Sequence, residues 1–316
     1  MTVHPVPTWK IGRLFALGII LGVLSVRADT VTATVKSDST DTPAETTTPD
    51  ASAPASSDAD VSTEKAAATP HFWQRDSRGG FENEGRDYCC PVAISNSFVY
   101  LAHHGFPSLL GEGDGVQPQI DLINQLASSD YFGTDPTTGT GPGGVLSGVQ
   151  KYVENQGYHC ERLEYEGWRK VGRNQASAIL AARPSLDWLK QGVRDPHGAV
   201  WLNIGWYTRV GDGEWKRIGG HWVTLVGYGA ADPAGAADPN LLLIHNPATR
   251  GNDDRPDDPA KDVVHLRQVA EGTLDTGKDS TEDAAGMYQL SGPGLPISRG
   301  VDAAFLDAAV VLVVGS

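Results

Sequence analysis

Three things that the sequence lacks narrow the classes of protein to which it can belong. It has no basic stripe: 39 acidic side chains against 25 basic ones give a net charge of −14, which argues against a nucleic-acid or anionic-membrane partner. The Gly/Thr/Pro-rich segment at residues 134–144 contains no Gly-Lys-Ser/Thr, so it is not a phosphate-binding loop. Only three cysteines are present, an odd number that fits either one bridge and a free thiol or no bridge.

A long apolar run is also missing. Leu14 to Val26 is too short to span a bilayer comfortably, and it follows the basic residues Lys10 and Arg13. Since Val26-Arg27-Ala28 fits a small-x-small cleavage site, residues 1–28 predict an export signal, with an uncleaved anchor as the alternative. We therefore expect a secreted or periplasmic protein that has no membrane partner once the signal is removed.

The remainder divides by composition into two parts. Residues 29–70 are Thr, Ser, Ala, Asp and Pro with almost no large apolar side chains, which predicts a disordered spacer. Residues 71–316 have the size of one compact domain. Periodicity predicts helices near 89–105, 120–127, 145–157 and 185–193, and strands near 158–165, 198–207, 219–229 and 241–247. Helices followed by strands indicate an α+β domain with an antiparallel sheet.

The first stretch with chemical potential is Cys89-Cys90-Pro91 at the start of a predicted helix. A thiol at this place meets unpaired backbone N–H groups and the positive end of the helix dipole, and both favour the nucleophilic thiolate. The alternative is that both cysteines are small core residues, because free cysteine is among the most buried residue types.

The second stretch is a pair of predicted strands, one starting with His221 and the other ending at Asn246. If the strands form an antiparallel hairpin, the start of the first lies beside the end of the second, so these two side chains meet. A thiol, an imidazole and a group that orients the imidazole form the usual set for nucleophilic catalysis. Taken singly, the histidine fits a core position and the asparagine fits a turn before Pro247.

Cys-x-Pro at a helix start, Gly220-His221 with alternating apolar residues to Tyr228, and a hydrophobic run ending in Asn246-Pro247 resemble the papain-like cysteine peptidases. The most similar branch contains the bacteriocin-processing, double-glycine-leader peptidases and their stand-alone secreted relatives. The resemblance implies a nucleophile helix packed on an antiparallel sheet that carries the histidine and the asparagine. It also implies Cys89 as nucleophile, His221 as general base and then acid, and Asn246 as the orienting residue.

The resemblance further implies an oxyanion-hole amide six residues before the nucleophile, a position that Asn83 occupies where the family has glutamine. Gln74 is a second candidate if the intervening loop folds back. The family usually has Cys-Gly-Pro, whereas this chain has Cys89-Cys90-Pro91. We expect a cysteine peptidase that cleaves peptide or isopeptide bonds in a peptide or protein substrate without a cofactor. An inactive secreted binding module and an acyl transferase with the same triad are the alternatives.

Two further expectations concern the thiols and histidines. In an oxidising compartment Cys160 is a candidate disulfide partner for Cys90, which leaves Cys89 free; two buried structural thiols are the alternative. A zinc site formed by Cys89, His221 and His245 is disfavoured, because alternation along a strand turns His245 away from Asn246. We therefore expect no metal.

Overall fold

The computed structural model describes residues 64–172, 178–229, 238–249, 259–277 and 280–316. All of them belong to one compact unit, Pro54–Ser316. The predicted export signal (1–28) and residues 29–63 of the predicted spacer lie outside the described residues.

The described residues form an α+β domain, as predicted. Its helices are α1 Cys89–His103, α2 Gln117–Ala127, α3 Pro142–Asn155 and α4 Leu186–Arg194. Its strands are β1 His159–Gly167, β2 Ala178–Ala181, β3 Gly198–Gly211, β4 Glu214–Gly229, β5 Asp238–His245, β6 Val263–Gln268, β7 Thr273–Asp275, β8 Thr281–Asp283, β9 Tyr288–Ser291 and β10 Ala303–Gly315.

Six strands of the sheet close on themselves. The antiparallel pairings run from β10 to β9, β6, β5, β4 and β3, and from β3 back to β10. This closed circuit is a barrel. β1 pairs with the second half of β10 outside the circuit, and β7 pairs with the start of β4. The sheet is mixed, because β1 with β2 and β4 with β7 are parallel pairs, whereas the sequence predicted only antiparallel ones.

Strand alternation divides the core between the two faces of the barrel wall. Val200, Leu202 and Ile204 of β3 belong to a buried cluster to which all six barrel strands and α4 contribute, so this face is the interior. Ala199 and Trp201 point the other way and join a cluster with α1, α3, β1 and β10. The helices that precede the sheet in sequence therefore cover its outer face.

Helix α1 begins at Cys89, two residues before Pro91. Pro91 thus lies within the first turn, where its missing N–H costs no intrahelical hydrogen bond. Two contacts fix the helix on β3 and β4. Thr224 Oγ1 donates to Ala93 O at 2.7 Å and Trp201 Nε1 donates to Ser97 Oγ at 3.1 Å. The segment just before α3 is held by Trp222 Nε1, which donates to Thr140 O at 2.9 Å.

The domain begins earlier than the sequence predicted. Residues 64–68 are helical, and Lys65 is only 7% exposed. Its Nζ donates to the carbonyl oxygens of Val193, Asp195 and Gly198 at 2.9, 3.0 and 2.8 Å. Residues 64–70 therefore belong to the folded domain. The three carbonyl acceptors offset the free-energy cost of burying the Lys65 ammonium group. Composition alone could not reveal these acceptors, which lie about 130 residues further along the chain.

Candidate functional site

The thiol of Cys89 lies at the N-terminus of α1, against β4. Its sulfur is within hydrogen-bonding reach of the backbone N–H groups of Trp222, Cys90 and Cys89 itself. Trp222 immediately follows His221, so the thiol and the imidazole belong to the same small region of the sheet. Cys89 is buried, with 9% of its surface exposed.

Burial works against the expected thiolate. Loss of hydration raises the pKa of Cys89 to about 11, and the nearby Asp87 carboxylate adds to the rise, although the three N–H groups oppose it. The sequence predicted a pKa lowered by the helix N-terminus. That expectation is wrong for this closed arrangement, because desolvation of a single charge outweighs the dipole and its N–H donors.

His221 and Asn246 meet as the hairpin predicted. Strands β4 and β5 pair antiparallel with Thr224 opposite His245, which places Asn246 just past the end of β5. His221 Nε2 lies 2.7 Å from Asn246 Oδ1. The amide is held the right way round, since Asn246 Nδ2 donates to Gly294 O at 2.9 Å and its Oδ1 also accepts from the N–H of Ala248.

These contacts determine the tautomer of the imidazole. Asn246 Oδ1 can only accept, so His221 Nε2 carries the hydrogen and Nδ1 carries the lone pair in the neutral ring. Burial lowers the pKa of His221 to about 4, and the hydrogen bond that the ring donates to Asn246 offsets this only in part. Trp206 stacks on the ring with centroids 6.0 Å apart. The arrangement is a neutral, oriented base.

No hydrogen bond joins Cys89 to His221 in the described part of the chain. A neutral thiol and a neutral imidazole are the resting forms here, because burial disfavours either charge alone. We call Cys89, His221 and Asn246 the thiol cluster.

Neither predicted oxyanion amide is directed at the thiol. Asn83 is exposed and its Nδ2 donates to Pro136 O at 2.9 Å. Its backbone is left-handed (φ 50°), a conformation that asparagine tolerates and that turns its side chain away. Gln74 does fold back, with its N–H on Pro247 O at 2.9 Å. Its side-chain Nε2, however, donates to Gly85 O and Arg86 O at 2.9 and 2.6 Å.

All three cysteines are described, and all three are free thiols. The structure therefore does not form the proposed Cys90–Cys160 bridge. Cys90 is fully buried at the start of α1, where its thiol reaches the Thr140 hydroxyl. Cys160 lies near the start of β1, opposite Val314 of β10. Both thiols belong to the region of the core cluster that includes α1, but no bond joins them.

A second group of histidines lies behind Asn246. One ligand atom each from His71, His245 and Asp262 lies within 4.8 Å of the others. The two imidazoles stack with centroids 4.6 Å apart and an interplanar angle of 2°. Parallel rings direct their in-plane lone pairs along parallel planes, which does not suit two ligands of one ion. His245 lies opposite Thr224 in the β4–β5 pair and therefore on the other strand face from Asn246, as strand alternation predicted.

Sequence reasoning missed a buried ionic group on the outer face of the barrel. Asp307 is fully buried, and it accepts from Arg217 Nε, Tyr207 Oη and Trp168 Nε1 at 2.7, 2.8 and 3.1 Å. We call these four residues the carboxylate cluster. Burial raises the pKa of Asp307, and Arg217 opposes that rise. The available signal was an acid inside the apolar run of residues 303–315.

Comparison of the chain with protein-family models, with characterised proteins and with solved structures gave no match. Among the described helices, none has both the length and the apolar character that crossing a membrane requires.

Proposed function

We propose that the chain is a secreted cysteine peptidase of papain-like fold, which hydrolyses peptide or isopeptide bonds through a thiol acyl-enzyme. The observation that carries the proposal is the hydrogen bond of 2.7 Å between His221 Nε2 and Asn246 Oδ1, formed one residue from the N–H that meets the Cys89 thiol. A barrel with a cysteine-bearing helix on its outer face supports the papain-like arrangement.

The three members of the thiol cluster have separate roles in the reaction. His221 Nδ1 takes the thiol proton while Cys89 Sγ attacks the carbonyl carbon, and the carbonyl electrons move onto oxygen. When the C–N bond breaks, His221 returns the proton to the departing amine. Water then attacks the thioester, His221 takes its proton, and the acid is released as that proton returns to sulfur. Asn246 keeps the imidazole in the required tautomer throughout.

The neutral resting pair fits this route. Each charge is costly in the buried site, so thiolate and imidazolium form together, stabilised by each other. The oxyanion requires donors that are already in place. The Cys89 N–H, at the first residue of α1, belongs to the set that has no carbonyl partner within the helix. We assign this N–H as one oxyanion donor in place of the predicted Asn83 and Gln74 amides.

A thiol-directed acylating probe tests the proposal. The parent and Cys90→Ala are expected to label at Cys89, and Cys89→Ala is expected not to label. Asn246→Ala is expected to label more slowly, by about 10- to 100-fold, because its imidazole loses orientation rather than its proton. The modified cysteine is mapped by mass spectrometry, with circular dichroism as the folding control. Labelling at Cys90 alone places the nucleophile one residue further on. A parent that binds peptides without labelling or cleaving is a binding module.

Export has a separate test. The basic residues Lys10 and Arg13, the apolar run and Val26-Arg27-Ala28 support cleavage after Ala28. The mature protein from its natural source is expected to begin at Asp29. Met1 retained in a membrane fraction contradicts soluble secretion.

A further inference from the structure

A second polar site lies on the same outer face of β4 as the candidate nucleophile. A pocket of about 270 Å³ is lined by Trp168, Arg169, Lys170, Arg217, Thr276, Ser280 and Glu282. Three of these residues are cations and one is an acid. In a chain whose net charge is −14, such a group of positive charges in a concavity is a local reversal of the overall charge.

Internal pairing does not use all of this positive charge. Arg217 binds the buried Asp307 through Nε at 2.7 Å, and its buried Nη2 has no hydrogen-bond partner. Arg169 donates through Nη1 to the Asn203 amide oxygen at 3.0 Å, an uncharged acceptor. Lys170 is exposed at the rim and makes no ion pair with any described residue. One buried carboxylate therefore faces two guanidinium groups, and the lysine adds a third charge.

The pocket is built on β4, the strand that carries His221, and on its neighbour β3. Gly205 and Gly220 pair directly across β3 and β4. A methyl group on Gly205 would collide with the Asp307 carboxylate, and one on Gly220 would collide with the Arg217 guanidinium. The Asp307–Arg217 ion pair thus lies over this pair of glycines. The space above the Gly220 backbone is therefore occupied by the Arg217 guanidinium.

Strand β4 also relates the pocket to the residue whose backbone meets the nucleophile. Gly220 and Trp222 share a strand face, so they lie about 7 Å apart, the length of two residues of an extended peptide. The Trp222 N–H meets the Cys89 thiol. Asn203 also links the two sites, since its Oδ1 accepts from Arg169 and its Nδ2 donates to His221 O at 3.4 Å.

We propose that Arg169, Lys170 and Arg217 form a carboxylate-binding subsite, which selects substrates with an acidic group about two residues from the bond that Cys89 attacks. The role in substrate selection rests on the proposed peptidase function, whereas carboxylate binding itself does not. Guanidinium groups bind carboxylates through paired N–H donors. The Ser280 hydroxyl also lies at the wall, whereas the Thr276 hydroxyl donates to Ser280 O at 3.0 Å. Either an aspartate or glutamate side chain or a terminal carboxylate provides this chemistry.

Binding is tested in the full-length Cys89→Ala protein, where no turnover takes place. Three probes share one scaffold: N-acetylglutamate α-amide has only a side-chain carboxylate, N-acetylglutamine has only an α-carboxylate, and N-acetylglutamine amide has neither. The readout is the NMR signal of the Trp168 indole in the pocket, assigned with Trp168→Phe. We expect at least one carboxylate probe to shift this signal and the neutral probe to leave it unchanged. The probe that binds identifies the source of the carboxylate.

Charge variants at the rim complete the test. Arg169→Gln is expected to raise the Kd of the binding probe by about tenfold, and Lys170→Gln by a smaller factor. Lys216→Gln removes a charge from the next residue of β4 outside the pocket and is the matched control. Arg217 is not replaced, because its removal would leave the buried Asp307 carboxylate without its ion-pair partner. The proposal is overturned if no carboxylate probe binds, if the neutral probe binds equally, or if Lys216→Gln weakens binding as much as the pocket variants do.

Hydrolysis adds a measurement that separates the two proposals. In a peptide library, substrates with Asp or Glu near the cleaved bond are expected to show a lower KM than their Asn or Gln counterparts, and Arg169→Gln is expected to remove that difference. Carboxylate binding without any hydrolysis rejects the peptidase and leaves the binding site. Hydrolysis without preference for acidic substrates, and without carboxylate binding, rejects the subsite and leaves the peptidase.

Discussion

Two buried polar clusters lie close together on the wall of the barrel, and they differ in how completely the carboxylate of one and the imidazole of the other are hydrogen-bonded. In the carboxylate cluster, Asp307 accepts three hydrogen bonds, one of them from a guanidinium group. In the thiol cluster, His221 is oriented by Asn246 through one nitrogen, and no described residue bonds its thiol to its imidazole. Saturated pairing stabilises a fold, whereas an oriented group with an unused lone pair can react. We infer that the first cluster is mainly structural and the second mainly functional.

The largest effect expected from this difference is on turnover. Cys89→Ala is expected to remove acyl-enzyme formation, and His221→Ala to lower the rate by about 10²- to 10⁴-fold through loss of the general base. Urea unfolding of both variants is expected to stay near that of the parent. If Cys89→Ala unfolds at a much lower urea concentration than the parent, the thiol cluster is structural and does not differ from the carboxylate cluster in this respect.

The opposite pattern is expected for Asp307→Asn. Removing one partner of a buried ion pair leaves Arg217 uncompensated, so the free energy of unfolding is expected to fall by about 3–5 kcal/mol. The double variant Asp307→Leu, Arg217→Met is expected to recover part of the loss, because no lone charge remains buried. Asp212→Asn, at a fully exposed acid, is the control. Equal stability of Asp307→Asn and Asp212→Asn contradicts the structural role.

The next effect in size is the pH dependence of the free energy of unfolding, to which two buried histidines contribute. Burial lowers the pKa of His245 from 6.5 to about 3, and that of His221 to about 4. Below pH 6.5 these histidines bind protons in the unfolded chain but stay neutral in the folded one. The free energy of unfolding therefore falls as the pH falls toward these pKa values. Each histidine contributes up to about 1.4 kcal/mol per pH unit.

In His245→Gln the free energy of unfolding is expected to fall less steeply with falling pH, because the contribution of this histidine is lost. Urea unfolding between pH 6.5 and 4.5 measures the slope. An unchanged slope in His245→Gln means that the ring takes up its proton while folded.

The smallest effect concerns the remaining thiols. The unfolded, unreduced protein is expected to yield three alkylated cysteines, since Cys90 and Cys160 are free in the fold. Cys160→Ser is then expected to change the unfolding midpoint only slightly. A disulfide-linked peptide pair containing Cys90 and Cys160 restores the bridge that the thiol count first suggested and shows a different arrangement of β1 against α1.

Local pattern predicted a good part of this architecture. The start of α1 and the β4–β5 hairpin follow from apolar periodicity and turn residues, and together they placed His221 beside Asn246. The barrel could not be predicted, because it closes only when β10, at the end of the chain, pairs with β3 about 100 residues earlier. No local pattern encodes a partner at that distance.

The oxyanion assignment failed for a related reason. Spacing from Cys89 singled out Asn83, but spacing does not determine the backbone conformation between the two residues. The left-handed turn at Asn83 and Glu84 directs the amide to Pro136 O instead. The raised pKa of Cys89 was equally hidden, since it depends on how deeply β4 and α1 enclose the sulfur.

The buried ammonium of Lys65 has a mechanical consequence. Its three hydrogen bonds join this side chain to the end of α4 and the start of β3. Only beyond this anchor does the chain reach His71, whose Nε2 lies 2.9 Å from Asn246 O. Tension applied at Lys65 is therefore borne by α4 and β3 before it reaches the asparagine that orients His221.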